Sequence, residues 1–372
     1  MKLFIIFKKE LLDQIRDRRT IIAAILMPAL IVPLLLVLIP REAPEADPDA
    51  PARIIIGESE TRIRNIILHS IKNVRFEDSR SPSEAILRGS ADLLIRVDRK
   101  SGAHGELTLQ YDSARRGSAL AFIRVHDLLE SHFNRSAARS VVPMRISTVR
   151  DEDENRTLLT LSLMLPVFLM VFAASSTISS AIDMTAGEKE RSTLETLLSC
   201  DISHAAIILG KTLAASAVGC TAVVSLLSGI AICSQAYPSI TGGLPLFGFA
   251  GPTNVLLMAA LGTLSVFLFA SAGMAIGLYA KSVKEGTILA LPLIVLGSAL
   301  SSGLVAGDPF TVKCHYLLIP VVNIAYAIRS VIYDRHDAIL LLITLAVTVA
   351  CASVFLLISG RLLKNESVIF RS

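Results

Sequence analysis

From Asp183 to Asp201 the chain reads DMTAGEKERSTLETLLSCD, directly after a long apolar run. Gly187 breaks that run. Beyond it the charges Glu188, Lys189, Glu190, Arg191 and Glu195 fall on one side of a helical projection, and Leu194, Leu197 and Leu198 on the other. The pattern predicts a short amphipathic helix over 187–199 at a membrane face, made for contact with a protein partner or for resting on lipid. Bond-making chemistry has weaker candidates. Gly210-Lys211-Thr212 copies the end of a phosphate-binding loop, but the glycine needed five positions earlier is Ala205. Lys211 therefore reads as an anchor at the inner interface. A Gly-x-Ser-x-Gly elbow, a His-Glu-x-x-His site and a pair of intramembrane carboxylates are all missing from the sequence. The chain is expected to have no catalytic residues and no cofactor or metal site of its own.

The elements that must position this segment follow from composition. Hydrophobic residues make up 52% of the chain, and the mean hydropathy of +0.61 exceeds what a soluble domain of this length usually buries. Runs at 20–39, 157–182, 212–236, 286–307 and 338–360 each reach the roughly 20 residues needed to cross a bilayer. A sixth helix is expected at about Thr253–Tyr279, opened by Gly251-Pro252. Before the first span, Leu3, Phe7, Leu11 and Ile15 recur every four residues among charges, which predicts an interfacial helix within residues 1–19. The basic residues Lys2, Lys8, Lys9, Arg16, Arg18 and Arg19 precede span 1 (20–40). Counting six spans puts Lys189, Arg191, Lys211, Lys281, Lys284, Arg361, Lys364 and Arg371 on the same side. Both termini should thus be cytoplasmic, in the cytoplasmic (inner) membrane. The excess positive charge belongs to that face and to anionic lipid, and implies no nucleic acid.

Residues 41–156 hold 38 of the 68 charged residues, 19 of each sign, and must form a water-soluble extracytoplasmic domain. Strands are expected near 53–57, 74–76, 92–97 and 106–111. A helix should bury Ile63, Ile66, Ile67 and Ile71, and a second opens at the capping-box spacing Ser81-Pro82-Ser83-Glu84. A helix from about 118 to 140, with Ala119, Phe122, Ile123, Leu129 and Phe133 inward, closes a mixed α/β core. Leu317–Ile328 is apolar but too short to cross, so it fits a re-entrant or interfacial hairpin broken at Pro320. The expected fold is an α-helical polytopic membrane protein of six transmembrane helices, with the α/β domain between spans 1 and 2 and spans 2–6 within 157–372. The five cysteines form no disulfide or metal pattern, and the Asn-x-Ser/Thr matches at Asn134, Asn155 and Asn365 read as chance.

GEKERSTLETLLSCDISHAAIILGK resembles the signature of type-2 ABC transporter permeases, in particular the NatB-like sodium-exporter branch. KKELLDQIRDRRTIIAAILMPALIVPLL resembles the same family's opening, with its two prolines as Pro28 and Pro33. AILRGSADLLIRV followed by TLQYDS resembles its outside domain, and Pro320-Val-Val-Asn323 its last outside loop. The sequence departs from the family pattern where Ser192 replaces the usual Gly and Asp201 the usual Pro. The resemblance implies that Gly187, Glu188, Lys189, Glu190, Arg191, Thr193, Leu194, Glu195 and Leu198 couple the chain to a separate ABC ATPase that holds ATP and Mg, with a second permease subunit, identical or homologous. The expected role is an ABC-type exporter permease, with Na+ as a candidate substrate. The alternative is an ABC-linked signal or mechanical transmitter that moves nothing across. Hydroxyls such as Ser175, Ser176, Thr177, Ser298, Ser301 and Ser302 are the polar groups within the spans, and they fit helix packing as well as a path for ions.

Overall fold

The computed structural model of the chain describes residues 2–17, 22, 24–30, 52–56, 61–71, 73–78, 81–98, 106–112, 115–135, 144–148, 152–236, 251–305, 314–335 and 337–365. In chain order the first elements are α1 (Lys2–Arg16), α2 (24–30), β1 (Ala52–Ile56), α3 (Thr61–Ser70), β2 (Val74–Phe76), α4 (Pro82–Leu87), β3 (Leu93–Asp98), β4 (Glu106–Tyr111), α5 (Arg116–Arg135) and β5 (Met144–Thr148). They are followed by α6 (Glu152–Ile182), a π-helical turn (Asp183–Gly187), α7 (Glu188–Glu190), α8 (Thr193–Leu198), α9 (His204–Ala236), α10 (Pro252–Tyr279), α11 (Val283–Val305), a 3-10 turn (Cys314–Leu318), α12 (Pro320–Ile332) and α13 (Ala338–Lys364). The chain divides into one unit of residues 1–39, 161–240 and 244–372, and a second of residues 40–160 with 241–243.

The second unit is a five-stranded mixed sheet in the order β2-β1-β3-β4-β5. β1 runs parallel to β2 and β3, β3 and β4 are antiparallel, and β4 and β5 are parallel. Because side chains alternate along a strand, Ile54, Leu93, Ile95 and Leu109 share one face, covered by Ile67 of α3 and Val125 and Leu129 of α5. Ile55 and Leu94 point to the other face, where Ile86 of α4 covers them. Fully buried Arg115 ties the layers, donating to the Ile86 carbonyl at 3.2 Å, the Ala91 carbonyl at 2.8 Å and Asp92 Oδ1 at 2.8 Å. Three expectations change here. The last strand, β5, was not foreseen; α5 turns Ala121, Val125 and Leu129 inward while Ile123 is exposed; and Ser81 makes no backbone cap but hydrogen-bonds Glu84 Oε2 at 3.4 Å.

Among the described residues of the first unit, five helices are long and apolar enough to cross a membrane, within α6, α9, α10, α11 and α13. The sixth expected span, 20–40, lies mostly outside the described residues. Its described part packs on α9, where Ser225 Oγ donates to the Ile25 carbonyl. Small residues bring the spans together: a Cβ on Gly219 of α9 would fall 1.9 Å from Thr177 Oγ1 and 2.7 Å from Val266 Cγ1, so only glycine permits that approach. Ser282 caps α11, its Oγ accepting from Glu285 N at 3.1 Å, while Glu285 Oε2 accepts from the N–H of Lys281, one residue before the cap, at 2.8 Å. Asp337 caps α13 through the amides of Ile339 and Leu340.

The segment expected as a hairpin broken at Pro320 is a helix that begins there. A proline at the first helical position gives up no intrahelical hydrogen bond, and every residue from Val321 to Tyr333 is buried among its neighbours. α12 is therefore a short apolar helix held inside the bundle. α9 also begins eight residues before the expected span, at His204, so that Lys211 lies within a helix.

Candidate functional site

Sequence reasoning ended span 2 at Gly187, but the helix runs on to Glu190. Gly187 lies inside the helix, where a Cβ would meet only the flexible Asp183 Oδ1 at 3.0 Å and Val283 Cγ2 at an ordinary 3.5 Å. The break comes at Ser192, which adopts φ 55° and ψ 23° in the left-handed region. Arg191 N donates to the Gly187 carbonyl at 3.1 Å and Ser192 N to the Lys189 carbonyl at 3.0 Å, closing the helix before α8 begins. The expected single helix over 187–199 is thus the end of span 2, a left-handed residue and a second short helix. A left-handed position also explains why glycine is the usual residue there in the family signature.

The apolar side of the segment packs on the chain itself. Leu194 is 2% exposed within a cluster that includes Ile6, Met184, Ile207, Met274 and Leu278, and Leu197 and Leu198 lie against it. Lys189 Nζ donates to the carbonyls of Leu278 and Ala280 (3.2 Å to the latter), at the C-terminus of α10, where a cation satisfies carbonyls that have no helical partner. Glu190, Arg191, Thr193 and Glu195 are exposed, and Thr193 Oγ1 donates to the Glu188 carbonyl at 3.3 Å. Of the expected residues, then, Gly187, Glu188, Lys189, Leu194 and Leu198 face inward to differing degrees, and four face out.

Glu188 belongs to a buried ion cluster that sequence reasoning did not assemble. Lys211, 2% exposed, donates to Glu10 Oε1 at 2.8 Å and to the Met184 carbonyl at 2.8 Å. Its Nζ also lies 2.8 Å from Glu188 Oε2, an ion pair without hydrogen-bond alignment. Lys9 Nζ donates to Glu10 Oε1 at 3.0 Å and to Glu188 Oε1 at 3.1 Å. Two cations and two carboxylates thus balance. Lys9 is half-exposed and its pairs are screened by solvent, whereas losing Lys211 would leave the enclosed Glu10 and Glu188 without their buried partner, at a cost of about 3–5 kcal/mol. Burial by itself would raise the Glu10 carboxyl, but Lys211 and then Lys9 outweigh it and hold that group below the usual carboxylate range. Burial likewise opposes the charge on Lys9, yet Glu10 and Glu188 together raise it above the usual lysine range.

The cluster sets how α1 lies. Ile6, Glu10 and Gln14 form its buried face, while Phe4, Ile5, Leu12 and Ile15 are exposed. The expected stripe of Leu3, Phe7, Leu11 and Ile15 is rotated, with the first three half-buried. Gly210 permits the contact with α9, since a Cβ there would come within 2.9 Å of Ile6 Cγ2. Further along, Gln14 Nε2 donates to Asp183 Oδ2 at 3.3 Å and Gln14 Oε1 accepts from Ser180 Oγ at 3.0 Å. Lys2, at the other end of α1, forms a solvent-exposed pair at 2.8 Å with Asp201, the residue standing in place of the family's proline, and such a pair adds little stability. Lys9, Glu10 and Lys211 were missed because nothing local marks a pair separated by 201 residues. The available signal was Lys211 inside the apolar run IILGKTLAAS.

Comparison with known proteins identifies the family. The family described as "ABC-2 family transporter protein" matches residues 4–367. The chain is also 24% identical to the ABC transporter permease protein NatB of Bacillus subtilis (strain 168), over 98% of each sequence. A match that takes in α1, the α/β unit, all five long apolar helices and the ion cluster establishes that this chain is a multi-pass membrane protein of the ABC-2 transporter family.

Proposed function

We propose that the chain is the permease subunit of an ABC exporter in the cytoplasmic membrane. A separate ATPase, holding ATP and Mg, seats on Glu190, Arg191, Thr193 and Glu195, and a second permease subunit completes the pore. The α/β unit lies outside the cell and both termini lie inside. One observation carries the reading: the 187–198 segment is fixed from behind by Glu188, Lys189 and Leu194 and turns only charged and hydroxylated residues outward. A helix made to rest on lipid would present its leucines there instead, because lipid penalises exposed charge. Sodium is the first substrate to test, on the resemblance to the sodium-exporter branch.

Glu190→Lys combined with Glu195→Lys reverses the exposed face without entering the core. The expected result is normal membrane level, loss of the co-purifying ATPase and loss of ATP-driven sodium flux in reconstituted vesicles. Retention of both ATPase and flux would overturn the docking surface. Wild-type protein that holds its ATPase yet drives no flux would favour the transmitter.

A further inference from the structure

Three stretches far apart in the sequence, Lys9-Glu10, Glu188 and Lys211, meet in one charge-balanced cluster in which Glu10, Glu188 and Lys211 are buried and Lys9 sits half-exposed at the rim. Such a cluster is a costly way to hold helices together, since apolar residues of similar volume often do as well or better. What ion pairs add is a fixed geometry, because each partner must keep its place to avoid a bare buried charge. Here they lock α1 to the start of the 188–198 segment and to the first turns of α9. Lys2–Asp201 and Gln14–Asp183 repeat the tie on either side. α1 thereby has two attachments through its buried face to the region of the proposed docking surface, the ion cluster and Gln14–Asp183, with the exposed Lys2–Asp201 pair beside them, and its other face carries Phe4, Ile5, Leu12 and Ile15 into the surroundings.

We infer that Glu10 and Lys211 are positioning residues that make α1 the moving arm of the transporter. On the reading proposed above, on which this rests, the ATPase pushes the 188–198 segment and the ion cluster carries that displacement into α1. The helix then works against the lipid interface with its apolar stripe. Neither residue contacts the ATPase; both act through Glu188.

The test uses the full chain in complex with its ATPase, in a background whose own cysteines are replaced. An environment-sensitive fluorophore is placed at Leu12→Cys on α1 or at Thr196→Cys on α8, and ATP with vanadate traps the closed state. In otherwise wild-type protein both probes should respond. Glu10→Gln with Lys211→Met removes one cation and one carboxylate together, so Lys9 and Glu188 remain balanced and the fold is retained, as membrane level and thermal unfolding will show. In that variant the ATPase should stay bound and the Thr196 probe should still respond, but the Leu12 response should be lost. Lys211→Arg, which keeps the charge, should preserve it. A Leu12 response unchanged in the double variant, absent in wild type, or lost only because the ATPase is lost would overturn the inference. An ATPase that never binds the wild-type chain would instead defeat the docking proposal. If Glu10→Gln with Lys211→Met fails to fold, Glu10→Asp with Lys211→Arg replaces it: a Leu12 response of wild-type size supports the inference, and its loss with the ATPase still bound refutes it.

Discussion

Replacing Ser192 by glycine should stabilise this protein. Ser192 holds φ 55° and ψ 23° between α7 and α8, a conformation in which Cβ crowds the following carbonyl and costs an L-residue roughly 1–2 kcal/mol. Its side chain is exposed and caps nothing, and among the described residues its hydroxyl makes no hydrogen bond, so the substitution removes no contact. The two backbone hydrogen bonds that close the helix, from Arg191 N and Ser192 N, stay in place. Glycine also gains freedom in the unfolded chain, which takes back about 0.5–1 kcal/mol. The net gain should be about 0.5–1 kcal/mol, or a rise of about 1–3 °C in midpoint for a chain of this size. Ser192→Val should move the other way, because a β-branched residue is a strong outlier in this region. Thermal unfolding of purified protein in detergent should therefore rank glycine above serine above valine. Glycine below serine, or valine equal to it, would mean that Ser192 is not held in the left-handed conformation and that α7 and α8 are joined in some other way.

Gly219→Ala should destabilise the contact of α9 with α6 and α10 by about 1–3 kcal/mol, with part of the loss recovered by Thr177→Ala, since Thr177 Oγ1 is the nearest obstruction; equal thermal stability of Gly219→Ala and wild type would refute the packing. The carboxyl of Glu10 is depressed, so its contribution to stability is complete above the usual carboxylate range and lost as pH falls through its lower folded value, while Lys9 is raised and loses its contribution only as pH climbs through its higher one. The stability difference between wild type and Glu10→Gln should consequently be flat from about pH 6 to 8, and a steep slope there would contradict the cluster. A cysteine at Asp127, exposed on α5, should react with an impermeant thiol reagent in intact cells and one at Arg191 only after lysis; the reverse order would invert the proposed topology.

Much of this fold is legible because long apolar helices have few alternatives. α9, α10, α11 and α13 follow from run length, while the caps Ser282 and Asp337 that open α11 and α13 came only with the structure. Other local signals mislead when a distant neighbour decides. Gly187 reads as a break but is carried through by the helix to Glu190, and even a local signal can miss, since Ser81 has the spacing of a cap yet its hydroxyl donates to the Glu84 side chain. Apolar spacing on α5 does not reveal which side the sheet will take, and Ile123 is left outside. At the candidate site the exposed charges could be read from the pattern, whereas Leu194 looked like a docking residue and proves to be core. The ion cluster could not be read at all, since its members find one another only once α1 is laid against α9.

The π-helical turn at Asp183–Gly187 acts as an angular spacer. One extra residue in a helical turn advances everything after it by about 100°. That advance brings Glu188 round to Lys211 and Lys189 round to the end of α10, while Glu190 and Arg191 look away from the bundle. Deleting a single residue from the turn would shift the whole charged stretch by one position in phase. A lysine would then be presented to Lys211, and a glutamate to the carbonyls that Lys189 now satisfies. The length of these five residues therefore sets which charges face the bundle and which face away.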